Sequence, residues 1–269
     1  MSLFFDRALT VIMTAMIVAS FVGCSKSTDT GNAGFMSPNS RKGDAPNPYP
    51  IAQADREAAL ARSAELKKEL ADVTNKLIAP SSEDVAAYAD FLSAANTGLF
   101  RLFPRESSTM VSPYLNGSGA YYQFKGRTNE YGYGDDIEYS TNNGPTFSVG
   151  FGGVDYGFFA QLGQIDIRTV TTANPAVGFA LHSESLNNQS ETRWRSEQQV
   201  WSNGRTANGI LYKDRMDAVV GMTYVGRSVN ESGYDIITVF QVIRRDPMDN
   251  SLVLAFKIIG ELPVPKLAR

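Results

Sequence analysis

Four acids lie close together in the segment EYGYGDDIEY: Glu130, Asp135, Asp136 and Glu138. Hard oxygen ligands on a glycine-rich loop are what calcium prefers, so these four are candidate metal ligands and calcium is the one candidate cofactor. The spacing does not fit an EF-hand, because acidic or amide side chains fail to recur at its ligating positions. A solvated turn is the competing reading of the same residues. The chain has a single histidine, His182, which excludes metal sites built from several histidines. A histidine-based catalytic triad would have to use His182, next to Ser183 and Glu184, although neighbours in sequence seldom form such an array. Gly117-Ser118-Gly119 lacks the frame of the hydrolase nucleophile elbow, and the glycine runs match neither a phosphate loop nor a dinucleotide fingerprint. Carboxylate-pair hydrolysis stays open, since its two acids can be distant in sequence. Trp194, Trp201, Tyr212 and Asp214 would then be candidates for a sugar cleft.

Positioning such groups requires a folded body, and the chain of 269 residues is long enough to bury a core. A net charge of -3 argues against a nucleic-acid partner, which would call for a basic surface. The 23 glycines, 12 tyrosines and 15 phenylalanines point to a β-rich, aromatic-packed body with many turns. The stretch Ala120–Phe159 mixes the two types most densely, which suits strand bends and close packing. Exposed, the same rings would suit stacking on sugars or on an apolar partner.

From Ile51 to Ala79 the residues are good helix formers, and Pro80 ends the run. Leu66, Leu70, Val73 and Leu77 recur every three or four residues as one apolar stripe. Packing on the protein's own body is favoured over a coiled-coil seam, which needs more heptads than this segment supplies. A second helix is expected over Ser82–Ala95, capped by Ser81 or Ser82. Beyond Gly98 the period becomes two. Strands are expected at 99–103, 119–125, 146–151, 164–171 and 222–229. A terminal hairpin is expected from 235–245 and 251–259, with Asp246–Asn250 as its loop. Those two strands are apolar at nearly every position, so both faces should be covered. The polar segment from Glu184 to Gln199 reads as either a helix or a long loop. The fold class expected is α+β: an N-terminal helix pair packed on a mostly antiparallel sheet, sandwich or partly closed barrel.

The N-terminus carries a different signal. Arg7 precedes the uncharged run from Ala8 to Val22, which has the length of a secretory h-region and is short for a membrane span. It ends at Phe21-Val22-Gly23-Cys24. That tetrapeptide resembles the bacterial lipobox, the match resting on Gly23 and Cys24 with Val22 acceptable. The resemblance implies a signal peptide over 1–23 and a lipid on Cys24, the only cysteine. Residues 24–50 would be a flexible tether, too poor in bulky apolar residues to fold. A helical segment over 51–97 and a β-rich domain over 98–269 would follow, together one folded unit.

The reading that follows is a lipid-anchored bacterial envelope protein with its domain outside the cytoplasm. It would be a non-enzymatic binding or structural module whose partner is another envelope protein or a surface polymer. An extracytoplasmic, carboxylate-dependent glycan hydrolase is the alternative.

Overall fold

The computed structural model describes residues 52–107, 119–129, 131, 134–150, 152–231 and 233–268. Cys24, the leader and the tether lie outside these residues, as does Glu130. The terminal hairpin forms the centre of the fold. Strands β10 (Asp235–Arg245) and β11 (Leu252–Leu262) pair antiparallel around the loop Asp246–Asn250. Strand β1 (Thr97–Leu102) joins β11, β9 (Thr223–Val229) joins β10, and β5 (Tyr156–Gly163) joins β9. The result is a five-stranded antiparallel sheet in the order β1-β11-β10-β9-β5.

Both faces of this sheet are covered, as its apolar strands require. Ile237 and Val239 of β10 face one core with Val225 and Phe158. Two helices close that side: α4 (Pro175–His182) contributes Val177 and Ala180, and α5 (Glu191–Asn203) contributes Trp194 and Trp201. Ile236, Phe240 and Val242 point the other way, into an aromatic core with Phe100, Tyr122 and Phe256. A second, four-stranded antiparallel sheet covers this face: β2 (Tyr121–Tyr122), β3 (Ile137–Ser140), β4 (Thr146–Ser148) and β8 (Arg215–Asp217). The protein is thus an α+β sandwich of helices, large sheet and small sheet, and the sheets do not close into a barrel.

The glycine-aromatic stretch builds this second core. Tyr122 stacks on Phe100 with ring centroids 4.0 Å apart, and Phe147 meets Phe240 edge-on at 5.4 Å. Gly98 makes room for the ring of its cross-strand partner: a Cβ there would collide with the Phe256 ring on β11.

Four expectations change. The strand expected over 119–125 keeps only Tyr121–Tyr122, because the chain turns back on itself at Gln123, whose carbonyl accepts from the Arg127 N–H. Residues 164–171 do not form a strand. Gly163, at φ 99°, ends β5, and the Asp166 carboxylate accepts from the Arg168 N–H to start a 3-10 turn at Ile167–Thr169. The alternation of Ile and Thr was therefore local turn chemistry. The second helix breaks into α2 (Ser82–Ala87) and α3 (Ala89–Leu92), with Ser81 and Asp84 forming a capping box. Asp84 also receives Arg244 of β10 at 2.6 Å, which ties α2 to the large sheet. Finally, the stripe on α1 (Gln53–Ile78) is not the face that packs. Leu66, Val73 and Leu77 are about half exposed (47%, 54% and 51%), while Thr74 and Ile78 are buried. Ile78 packs on Phe103.

The segment left open at 184–199 resolves as loop, then helix. Ser190 caps α5 by accepting from the Arg193 N–H, and Gly204 ends it at φ 87°. Strands β6 (Arg205–Ala207) and β7 (Ile210–Tyr212) follow as a hairpin around Asn208-Gly209. Both turn residues have positive φ, 52° and 75°, the geometry that favours Asn-Gly in a two-residue turn.

Candidate binding cleft on the small sheet

Strand alternation sets the site. On β3, Ile137 and Tyr139 enter the aromatic core, so Glu138 and Ser140 face outward. On β4, Phe147 is inward and Thr146 and Ser148 are outward. On β8, Met216 packs on the core and Arg215 and Asp217 take the outer face. Register then aligns them: Glu138 pairs with Ser148 and Ser148 with Arg215, while Ser140 pairs with Thr146 and Thr146 with Asp217. Short strands with no length to spare thus present two polar rows, each crossing three strands.

A 3-10 turn at Arg105–Ser107, entered through Pro104, adds two charges from one side. Arg105 donates to Glu138 Oε1 at 2.9 Å, while Ser148 donates to Oε2 at 3.4 Å. Glu138 is nearly buried, with 9% of its side chain exposed, whereas Arg105 is 62% exposed. Glu106 is held more tightly. It accepts from the Ser140 hydroxyl at 2.6 Å, from the Thr141 N–H at 2.8 Å and from the Thr141 hydroxyl at 3.1 Å. Burial pushes its carboxyl up, but these donors outweigh burial and hold it at about 2. Beside them, Tyr121 pairs with Glu138 across β2 and β3, and burial pushes its hydroxyl up to about 12. Tyr131 lies on Tyr121 with centroids 4.6 Å apart and is itself exposed.

Arg105, Glu106, Glu138, Ser140 and Ser148 line a hollow of about 510 Å³ that also takes in Asn142 and Asn143. A second hollow of about 640 Å³, bordered by Lys213 and Asp217, adjoins it. Thr146 and Arg215 line both, so the two hollows meet at these side chains and together make up the cleft. Among the described residues the side chains of Arg215 and Lys213 form no ion pair or hydrogen bond, while the Lys213 backbone pairs with Phe159.

The acidic cluster read from the sequence is divided by the sheet. Glu138 belongs to the outer cleft. Asp136 turns inward, fully buried, and its Oδ2 accepts from the Phe124 N–H at 2.7 Å. Burial pushes its carboxyl up to about 7, with the Ser228 and Tyr234 hydroxyls beside it. Asp135 is buried next to it. Among the described residues no three His, Cys, Asp or Glu gather where they could hold a metal ion, and Glu130 lies outside those residues.

The other sequence candidates are structural where they are described. Trp194, Trp201 and Tyr212 are core residues and do not border a sugar cleft; the Trp194 indole donates to Leu186 O at 3.0 Å. Asp214 accepts from the Ser202 hydroxyl at 2.5 Å, bracing the end of α5. His182 ends α4 with Nδ1 2.7 Å from Gly178 O. Arg105, Glu106, Ser148 and Arg215 were not singled out in the sequence. The available signal was the polar-apolar-polar spacing of Thr146-Phe147-Ser148 and Arg215-Met216-Asp217, which marks a half-covered strand.

No helix among the described residues is long and apolar enough to cross a membrane. Comparison with family models, with curated proteins and with solved structures found no match.

Proposed function

We propose that this chain is an envelope protein held to a membrane by a lipid on Cys24, and that its folded body is a non-enzymatic module that captures a cell-surface polymer. The outer-face cleft carries this reading. It is open to solvent, floored by the strands of the small sheet, and lined in part by side chains held by hydrogen bonds, Glu106, Glu138, Ser140 and Ser148 among them. Preorganised polar groups of this kind bind a ligand with little ordering cost.

The hydrolase alternative has one observation in its favour: Glu106 and Glu138 line the same hollow. Glycoside cleavage needs one carboxyl group that keeps a proton near neutral pH. Glu106 is held as a carboxylate by its three donors, and Glu138 is oriented toward Arg105 and Ser148. Binding without cleavage fits both acids better.

Two measurements test the reading. Cys24→Ala should move the chain from the membrane fraction to the soluble fraction; retention on membranes would refute the anchor. The full chain in mild detergent should co-sediment with insoluble cell-wall polymer, and Ser148→Tyr, which fills the cleft, should abolish this. Undiminished sedimentation of a folded Ser148→Tyr variant would remove the cleft from the account.

A further inference from the structure

The cleft contains a charge that the fold does not use. Arg105 is neutralised by Glu138, and the Glu106 carboxylate is consumed by Ser140 and Thr141. Arg215 differs: its guanidinium is exposed, stands where the two hollows meet, and has no ion pair or hydrogen bond among the described residues. A guanidinium offers a planar fork of donors that matches a carboxylate. The Lys213 side chain, equally unspent, borders the adjoining hollow, where the exposed Asp217 carboxylate offsets its charge and leaves the Arg215 guanidinium as the excess cation.

The rest of the lining narrows the ligand. Asn142, Asn143 and Thr146 are neutral groups that both donate and accept, and the Ser140 and Ser148 hydroxyls, which donate to Glu106 and Glu138, keep lone pairs to accept. That mixture suits a polyhydroxylated ligand, whose hydroxyls also do both. An extended peptide would call instead for a free strand edge or apolar side-chain pockets, and this hollow runs over the face of the small sheet. The row from Tyr121 to Arg215 crosses four strands. At roughly 4.8 Å between strands it spans about 14 Å, the reach of a short oligosaccharide. Tyr131, exposed and backed by Tyr121, offers a ring face at the end remote from Arg215.

We infer that the cleft binds a carboxylate-bearing saccharide, its acid group docked on Arg215 and its hydroxyls on the Ser148, Thr146 and Asn143 side. This rests on the binding-module reading above and adds the ligand's chemical class.

The test uses the full chain in mild detergent and two probes, an oligogalacturonate and its fully methyl-esterified form, with affinity read by titration calorimetry. The acid should bind more tightly than the ester. Arg215→Gln should weaken the acid roughly tenfold to a hundredfold and leave the ester within about twofold. Arg215→Lys should restore only part of the loss, because a point charge lacks the fork. Arg56→Gln, on the exposed first helix, is the control for general charge and should change nothing. Equal binding of acid and ester, or equal weakening of both by Arg215→Gln, would overturn the inference and leave a neutral-saccharide module standing. Loss of acid binding in Arg56→Gln as large as in Arg215→Gln would overturn it as well. If neither probe binds while cell-wall polymer still co-sediments, the ligand class falls alone; if the polymer also fails, the module reading falls with it.

Discussion

Asp136 makes the folded chain sensitive to pH in a direction that can be worked out. Its carboxyl has an ordinary value of 3.8, and burial between the sheets pushes it up to about 7. In that interval the native chain holds a proton that the unfolded chain has released. Stability therefore falls as pH rises from about 4 to about 7, and levels off above. The gap of about three pH units is worth on the order of 4 kcal/mol. Asp136→Asn removes the titration and keeps an oxygen to accept from the Phe124 N–H. Denaturant unfolding of both proteins across pH 4 to 8 reads the difference. Asp155, also pushed up by burial, to about 6, is present in both and cancels. The Asn variant should match the wild type near pH 4, draw ahead as pH rises, and exceed it by a few kcal/mol at pH 8. Parallel profiles, with no widening gap, would refute the reasoning.

Three further outcomes follow from the packing. Asp235→Ala strands the buried Arg227 guanidinium, now paired at 2.6 Å and also bonded to Ser183 O at 2.7 Å, and should cost about 3–5 kcal/mol in denaturant unfolding. A cost under about 1 kcal/mol would contradict the pairing. Gly98→Ala drives a methyl into the fully buried Phe256 ring and should cost about 1–3 kcal/mol, read as a lowered Tm. Leu66→Gln and Leu77→Gln alter exposed positions and should each stay within about 0.5 kcal/mol of wild type; a larger loss would mean that the stripe packs after all.

Long elements with strong patterns were legible in the sequence. β10 and β11 were visible because apolar residues at nearly every position leave only a doubly covered strand. The helical run of α1 was visible from composition, but which face it buries was not. Leu66 and Val73 give the better stripe, yet contact with Phe103 selects Ile78 instead. Asn208-Gly209 carries the local signal of a two-residue hairpin turn in the sequence itself. The cleft was hidden for a physical reason. Its strands are three or four residues long, and the partners that align Glu138, Ser148 and Arg215 are 10 and 67 positions apart. Register between such short strands is fixed by the aromatic core beneath them, not by their own sequence.

Hydroxyl-radical footprinting of the full chain, with and without cell-wall polymer, tests the central claim most directly. Protection should concentrate on the cleft and its rim, at Tyr131 and Leu211, while exposed Met248 and the α1 leucines react as before. Protection of Met248 or of α1 with an unchanged cleft would contradict the account.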